Sequence, residues 1–210
     1  MGALTVAAAQ AVSARGDVKA NLDQHCRLAE LAADAGASVT VFPELSLTGY
    51  EPGIAAALAF SAEDERLKPL VDLADSRKVT LVVGAPVRLA SGLHIGAFVI
   101  ERGSPMRVYT KRHLHAGEES VFSPGPLDPM IKLGDERAAL AICAGTSHPE
   151  HAEAAARRGA SLYLAGVFFT PEDYPAAAAR LADYAALHSM GVVMANAGAA
   201  SSEFTSPGGG

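Results

Sequence analysis

From residue 18 onward the apolar side chains Val18, Leu22, Cys26, Ala29 and Ala33 recur every three or four positions, the period of one face of a helix. That spacing predicts a helix over 17–35, ended by Gly36. Before it, the alternating stretch 3–10 reads as a strand. After it, the β-branched run 38–42 reads as a second strand, which Pro43 ends by removing a ladder donor. A helix over 62–77 leads into a strand over 79–84. Runs 93–101 and 106–111 form a predicted hairpin around Arg102-Gly103-Ser104-Pro105. Beyond a Pro/Gly-rich loop at 124–129, the order is strand 138–143, helix 149–158, strand 161–166, helix 175–189 and strand 191–195. Antiparallel pairing is thus mixed with βα units. No repeat or linker divides the pattern, so residues 1–210 read as one αβ domain.

Composition narrows the class. Of 210 residues, 50% are hydrophobic and 19% charged, a balance that supports a packed core. The formal charge of −6 and the lack of a basic run longer than Lys111-Arg112-His113 argue against nucleic acid as a partner. The uncharged stretch 185–202 is interrupted by Gly191, Asn196 and Gly198, so it does not read as a membrane span. No charged leader precedes the first strand, and two cysteines without CxxC spacing suggest no disulfide framework, so the expected compartment is the cytoplasm. The 43 alanines read as small helix filler. The seven histidines show no HExxH spacing and no glycine-rich phosphate loop occurs, so neither metal nor cofactor is expected.

Three polar residues stand at predicted strand ends: Glu44, Lys111 and Cys143. In αβ folds such ends converge on one rim, and a carboxylate, an ammonium and a thiol gathered there form a nucleophilic site. The attacking species is the thiolate, so the thiol needs a base and a positive neighbour. Taken singly, each has an ordinary explanation: Cys143 as a small core residue, Glu44 as a cap, Lys111 as a solvated charge. Cys26 belongs to the apolar helix face, and His148, before Pro149, reads as a turn residue.

The local sequences give these residues their weight together. Val41-Phe42-Pro43-Glu44-Leu45-Ser46-Leu47-Thr48-Gly49-Tyr50 resembles the first signature of the nitrilase, or carbon-nitrogen hydrolase, superfamily. Tyr109-Thr110-Lys111-Arg112-His113-Leu114 resembles its lysine motif, and Ala141-Ile142-Cys143 with His148-Pro149-Glu150 resembles its nucleophile motif. The resemblance covers nearly the whole chain. It implies an α/β fold of four layers, an α-β-β-α sandwich with mixed sheets, assembled into a homodimer or higher homo-oligomer through a helical face. It further implies Cys143 as nucleophile, Glu44 as general base and then acid, and Lys111 with the backbone N–H of Ala144 as the anion site. A second glutamate precedes Phe122-Ser123-Pro124-Gly125; counting back favours Glu118 over Glu119. Phe168 and Phe169 are candidates for the acyl pocket wall and Asn196 for orienting the site, each also compatible with packing.

The function so implied is hydrolysis of a small-molecule amide through a cysteine thioester, without a cofactor. A nitrile or an N-carbamoyl amine as substrate is the first alternative; a catalytically silent binding or assembly subunit is the second. The latter is motivated by Gly145, which stands where many relatives have aspartate and is expected to loosen the turn, and by the end of the chain at Ser206-Pro207-Gly208-Gly209-Gly210, short against the family and expected to leave sheet strands missing. An Asp-Lys-Cys hydrolase on a doubly wound sheet is disfavoured, because the first strand ends Ala8-Ala9-Gln10 without the aspartate.

Overall fold

The computed structural model describes residues 4–126 and 130–198. Expectations for Ala3, for the far end of the 124–129 loop and for the chain end at 206–210 lie outside the described residues. The first unit is β1 (Val6–Ala8), α1 (Val18–Asp34) and β2 (Val39–Val41), with β1 and β2 parallel. Asp17 starts α1 as its N-cap, its carboxylate accepting the Ala20 N–H at 3.0 Å, and Gly36 turns the chain out of it at φ 84°. A short helix, α2 (Pro52–Leu58), then precedes α3 (Lys68–Arg77), β3 (Thr80–Leu89), β4 (Gly92–Ile100) and β5 (Arg107–Thr110). These strands form one sheet in the order β1-β2-β3-β4-β5, parallel as far as β3 and antiparallel beyond it.

The second sheet holds β6 (Met130–Leu133), β7 (Glu136–Ile142), β8 (Leu162–Val167) and β9 (Gly191–Asn196) in sequence order. A hairpin joins β6 to β7, and the other pairs are parallel across α4 (Pro149–Arg157) and α5 (Tyr174–His188).

Side-chain alternation sorts the layers. On β3, Leu81, Val83, Ala85 and Val87 join Leu22, Ala29, Leu70 and Leu73 of α1 and α3 in one cluster. Val82 and its cross-strand partner Val99 face the opposite way, into a core shared with Ile131, Leu140 and Leu164 of the second sheet. Ala152, Ala155, Leu181 and Tyr184 bring α4 and α5 onto that same core. Each fully buried Val or Leu contributes about 1.5–3 kcal/mol, so both faces of the central strands stabilise the fold. The arrangement is the expected one, two mixed sheets face to face with helices outside.

Three elements depart from the sequence reading. β3 runs on to Leu89 where the pattern suggested a stop at Gly84. Pairing with β2 ends at Val82, so the rest of β3 borders loop on that side; it tolerates Pro86, whose carbonyl accepts the Phe60 N–H at 2.9 Å. Neither α2 nor β6 was expected: seven and four residues are too short to show a period.

Candidate active site

Strand direction explains why distant residues meet. β5 is antiparallel to β4, which is antiparallel to β3, so β5 runs the same way as β2 and their C-terminal ends share a rim. Glu44 follows β2 and Lys111 follows β5 directly. Two glycines draw this rim against the second sheet. A methyl group on Gly84 of β3 would sit 2.2 Å from the Pro43 carbonyl oxygen, and one on Gly166 of β8 would sit 2.6 Å from that of Phe42. Only residues without a Cβ let the Phe42–Glu44 backbone pass so close to a strand of each sheet.

The turn after Glu44 is strained and braced. Leu45 adopts φ 52°, a left-handed conformation costly for a branched residue. Its neighbours are tied to α1: Asn21 Nδ2 donates to the Leu47 carbonyl at 3.1 Å, and His25 bridges Asn21 and Ser46. The Asn21 carbonyl can only accept, so His25 carries its proton on Nδ1 and donates at 2.6 Å; Nε2 then accepts the Ser46 hydroxyl at 2.8 Å. The ring stacks on Phe42 at 4.3 Å, and its burial lowers its pKa to about 4.

The charged centre is buried. Lys111 Nζ donates to Glu44 Oε1 at 2.7 Å and to Glu118 Oε1 at 2.8 Å, and all three side chains are 3% exposed or less. Glu118 Oε1 also accepts the Tyr50 hydroxyl at 2.5 Å, while Oε2 accepts the His115 N–H at 2.7 Å. Glu119, by contrast, is exposed and accepts the Gly117 N–H at 2.7 Å. Burial alone would lower the Lys111 pKa, but the carboxylates of Glu44 and Glu118 and the neighbouring Cys143 outweigh it and hold the ammonium above its usual value. The Glu44 pKa is raised as well: burial, aided by repulsion from Glu118, outweighs the pull of Lys111. Its Oε2 has no hydrogen-bond partner among the described residues.

Cys143 comes from the second sheet. It follows β7 and opens a 3₁₀ turn, Cys143–Ser147, at φ 37°, so the thiol is carried on another strained backbone position. Sγ lies 3.6 Å from the Phe168 carbonyl oxygen. Burial and then the Glu44 carboxylate push the thiol pKa up, with Lys111 offsetting only part, so the resting group is the neutral thiol. The N–H of Ala144, next in the turn, precedes any acceptor that the turn itself supplies. The freedom expected from Gly145 meets three restraints one residue later. Thr146 Oγ1 donates to the Cys143 carbonyl at 2.8 Å, and the Thr146 carbonyl accepts from Arg180 Nε at 3.0 Å and the Tyr184 hydroxyl at 3.1 Å. A side chain at 145 would meet open space.

Glu44, Glu118, Cys143 and Ala144 line a cavity of about 380 Å³ whose walls include Tyr50, Phe168, Phe169 and the α5 face. Phe168 stacks on Tyr50 at 5.4 Å. Asn196 does not line this cavity; its amide accepts the Phe169 N–H at 2.8 Å and donates to the Phe169 carbonyl at 3.1 Å, holding the wall from behind. A larger groove of about 430 Å³ shares Phe168, Phe169 and Thr170 with the cavity but contains none of the carboxylates or the thiol, so it lacks the means for acyl chemistry. At the cavity's edge His113, His148 and Glu150 bring one donor atom each within 4.8 Å of one another, a set that the sequence spacing hides because His113 comes from another loop. The two rings stack at 3.7 Å and His148 Nδ1 contacts Glu150 Oε1 at 3.0 Å, an arrangement satisfied by itself. Sequence reasoning missed Tyr50 and Arg180. Tyr50 closes the first signature block; Arg180 carries no linear signal.

Comparison with known proteins adds to this geometry. A family model described as carbon-nitrogen hydrolase matches residues 5–197. The amidase from Nesterenkonia sp. AN1, in a variant with acrylamide added at its active-site cysteine, is 27% identical with a TM-score of 0.84, covering 93% of this chain and 79% of that one. A protein of Pseudomonas protegens described as a hydrolase in the pqqF 5′ region is 30% identical over 154 residues, 70% of this chain and 53% of its own length. An (R)-stereoselective amidase from a Pseudomonas species is 32% identical over 154 residues, 71% of this chain and 54% of its own length. The chain thus spans about half the length of these curated relatives. Among the described residues, no helix is long and apolar enough to cross a membrane.

Proposed function

Because the chain belongs to the carbon-nitrogen hydrolase family, we propose that it hydrolyses a small amide through a thioester on Cys143, with Glu44, Lys111 and Glu118 as the other members of the site. The observation that carries this reading is the buried Glu44-Lys111-Glu118 cluster opening beside Cys143 with Glu44 Oε2 unbonded.

An amide carbonyl is a weak electrophile, so the site must generate a thiolate and hold the negative charge that its attack creates. Glu44 Oε2 takes the thiol proton as Sγ bonds to the carbonyl carbon, and burial, which raises the Glu44 pKa, makes it a stronger base for this step. Lys111 and the Ala144 N–H stabilise the oxyanion; loss of one such donor typically costs about 10²–10³ in rate. Collapse of the intermediate breaks the C–N bond, Glu44 returns its proton to the leaving nitrogen, and ammonia departs. Glu44 then deprotonates water, which attacks the thioester; the carboxylate leaves and Sγ recovers its proton. Glu118, held by Tyr50 and the His115 N–H, keeps Lys111 in place throughout.

Cys143→Ala is expected to reduce ammonia release from any amide substrate by at least about ten-thousandfold while leaving the circular dichroism spectrum intact. Intact mass spectrometry of the unaltered protein during turnover should record an acyl adduct on Cys143. Turnover that survives the substitution rules out the proposal.

A further inference from the structure

One wall of the cavity carries charge that the hydrolytic steps do not use. Asp173, the N-cap of α5, and Ala176, Ala177 and Arg180 within it all line that wall, and their spacing places them on a single stripe. The alanines keep that wall low, and the two charges lie about 10 Å apart along the helix axis. Arg180 is half-buried and tethered: its Nε donates to the Thr146 carbonyl at 3.0 Å, fixing the guanidinium to the turn that presents Cys143. Its two Nη groups have no carboxylate or carbonyl partner among the described residues.

The other charges around the cavity do not neutralise it. Glu44 and Glu118 share Lys111, Asp173 is exposed and accepts the Thr170 hydroxyl at 2.8 Å, and His115 and His148 line the mouth. An arginine fixed at Nε and open at both Nη atoms offers the planar fork that pairs with a carboxylate.

We propose that Arg180 is the anion anchor of this pocket, so that the amide taken carries a carboxylate at the end of its acyl chain remote from the scissile bond. The inference rests on the amidase reading for the reaction, but the anchor is testable without turnover. Succinamate and butyramide have nearly the same length and differ at the far end, where one has a carboxylate and the other a methyl group. Calorimetric titration of the Cys143→Ala protein is expected to give succinamate at least about tenfold tighter binding than butyramide. In Cys143→Ala/Arg180→Gln the ratio should fall close to one, and in Cys143→Ala/Arg180→Lys, which keeps the charge but not the fork, it should fall part of the way. Equal binding of the two amides, binding of neither, or a preference that survives Arg180→Gln overturns the anchor. If Arg180→Gln does not fold, the first comparison and the lysine variant still decide. Turnover separates the two ideas: binding of succinamate without hydrolysis of either amide defeats the hydrolytic reading and leaves the anchor, whereas hydrolysis favouring butyramide does the reverse.

Discussion

Removing the Lys111 ammonium would leave Glu44 and Glu118 facing each other in a site closed to water, since both carboxylates are bonded to it and all three side chains are buried. Breaking a buried ion pair from one side typically costs about 3–5 kcal/mol, because the remaining charge keeps its desolvation penalty and loses its partner. Lys111→Met is therefore expected to lower unfolding stability by about that amount at pH 7 in urea titration, and to lose less at pH 5, where one carboxylate can take up a proton. A loss under 1 kcal/mol at pH 7 would show that the carboxylates do not depend on this cation. At this scale the sequence was readable where a residue stands in a linear motif at a strand end, as Glu44, Lys111 and Cys143 do. The choice of Glu118 over Glu119 rested on counting, and the structure separates the pair physically: one is buried on Lys111, the other exposed on a backbone N–H. Arg180 was not readable, because its meaning comes from a helix face meeting a turn 34 positions earlier.

Helix α1 never reaches the cavity, yet it sets the turn that presents Glu44. His25 is the link, neutral and buried between the Asn21 carbonyl and the Ser46 hydroxyl. Its folded-state pKa of about 4 lies below the unfolded value of 6.5, so as pH falls the unfolded chain takes the proton first. The stability tied to neutral His25 is complete above pH 6.5 and is lost progressively toward pH 4, by a total of about 3 kcal/mol. Unfolding free energies measured across that window should show this loss, and His25→Gln should flatten it; an unchanged slope would remove His25 from the account. The period of α1 was legible because it runs for 17 residues with one face apolar. By contrast α2 and β6 are too short to register, and the end of β3 was placed at Gly84, which in fact marks a close approach, while beyond it Pro86 lies where β3 borders the Phe60 loop instead of β2.

Across the whole molecule, Glu44 and Lys111 follow strands of the first sheet, Glu118 sits on a turn in the connection to the second, and the thiol follows a strand of the second, so the site exists only while the two faces stay packed. The core between them is continuous from Val39 to Ala195 and contains Tyr109 and Tyr163, both almost fully buried. The chain has no tryptophan, so the near-ultraviolet dichroism of tyrosine reports on that packing. Activity and the tyrosine signal are expected to disappear together in a single urea transition; activity lost at clearly lower urea would mean that the sheets part before the chain unfolds. The four-layer arrangement was legible through the alternation of strand and helix, whereas the closeness of the sheets was not, since it depends on Gly84 and Gly166 meeting a backbone from elsewhere. The packing also decides how durable the proposed nucleophile is. Oxidants and alkylating agents consume thiolates, and Cys143 rests as a neutral thiol, 8% exposed and pushed toward its protonated form. The sulfur is thus slower to meet peroxide and passing electrophiles than an exposed thiol would be, and is left to molecules small enough to enter the cavity.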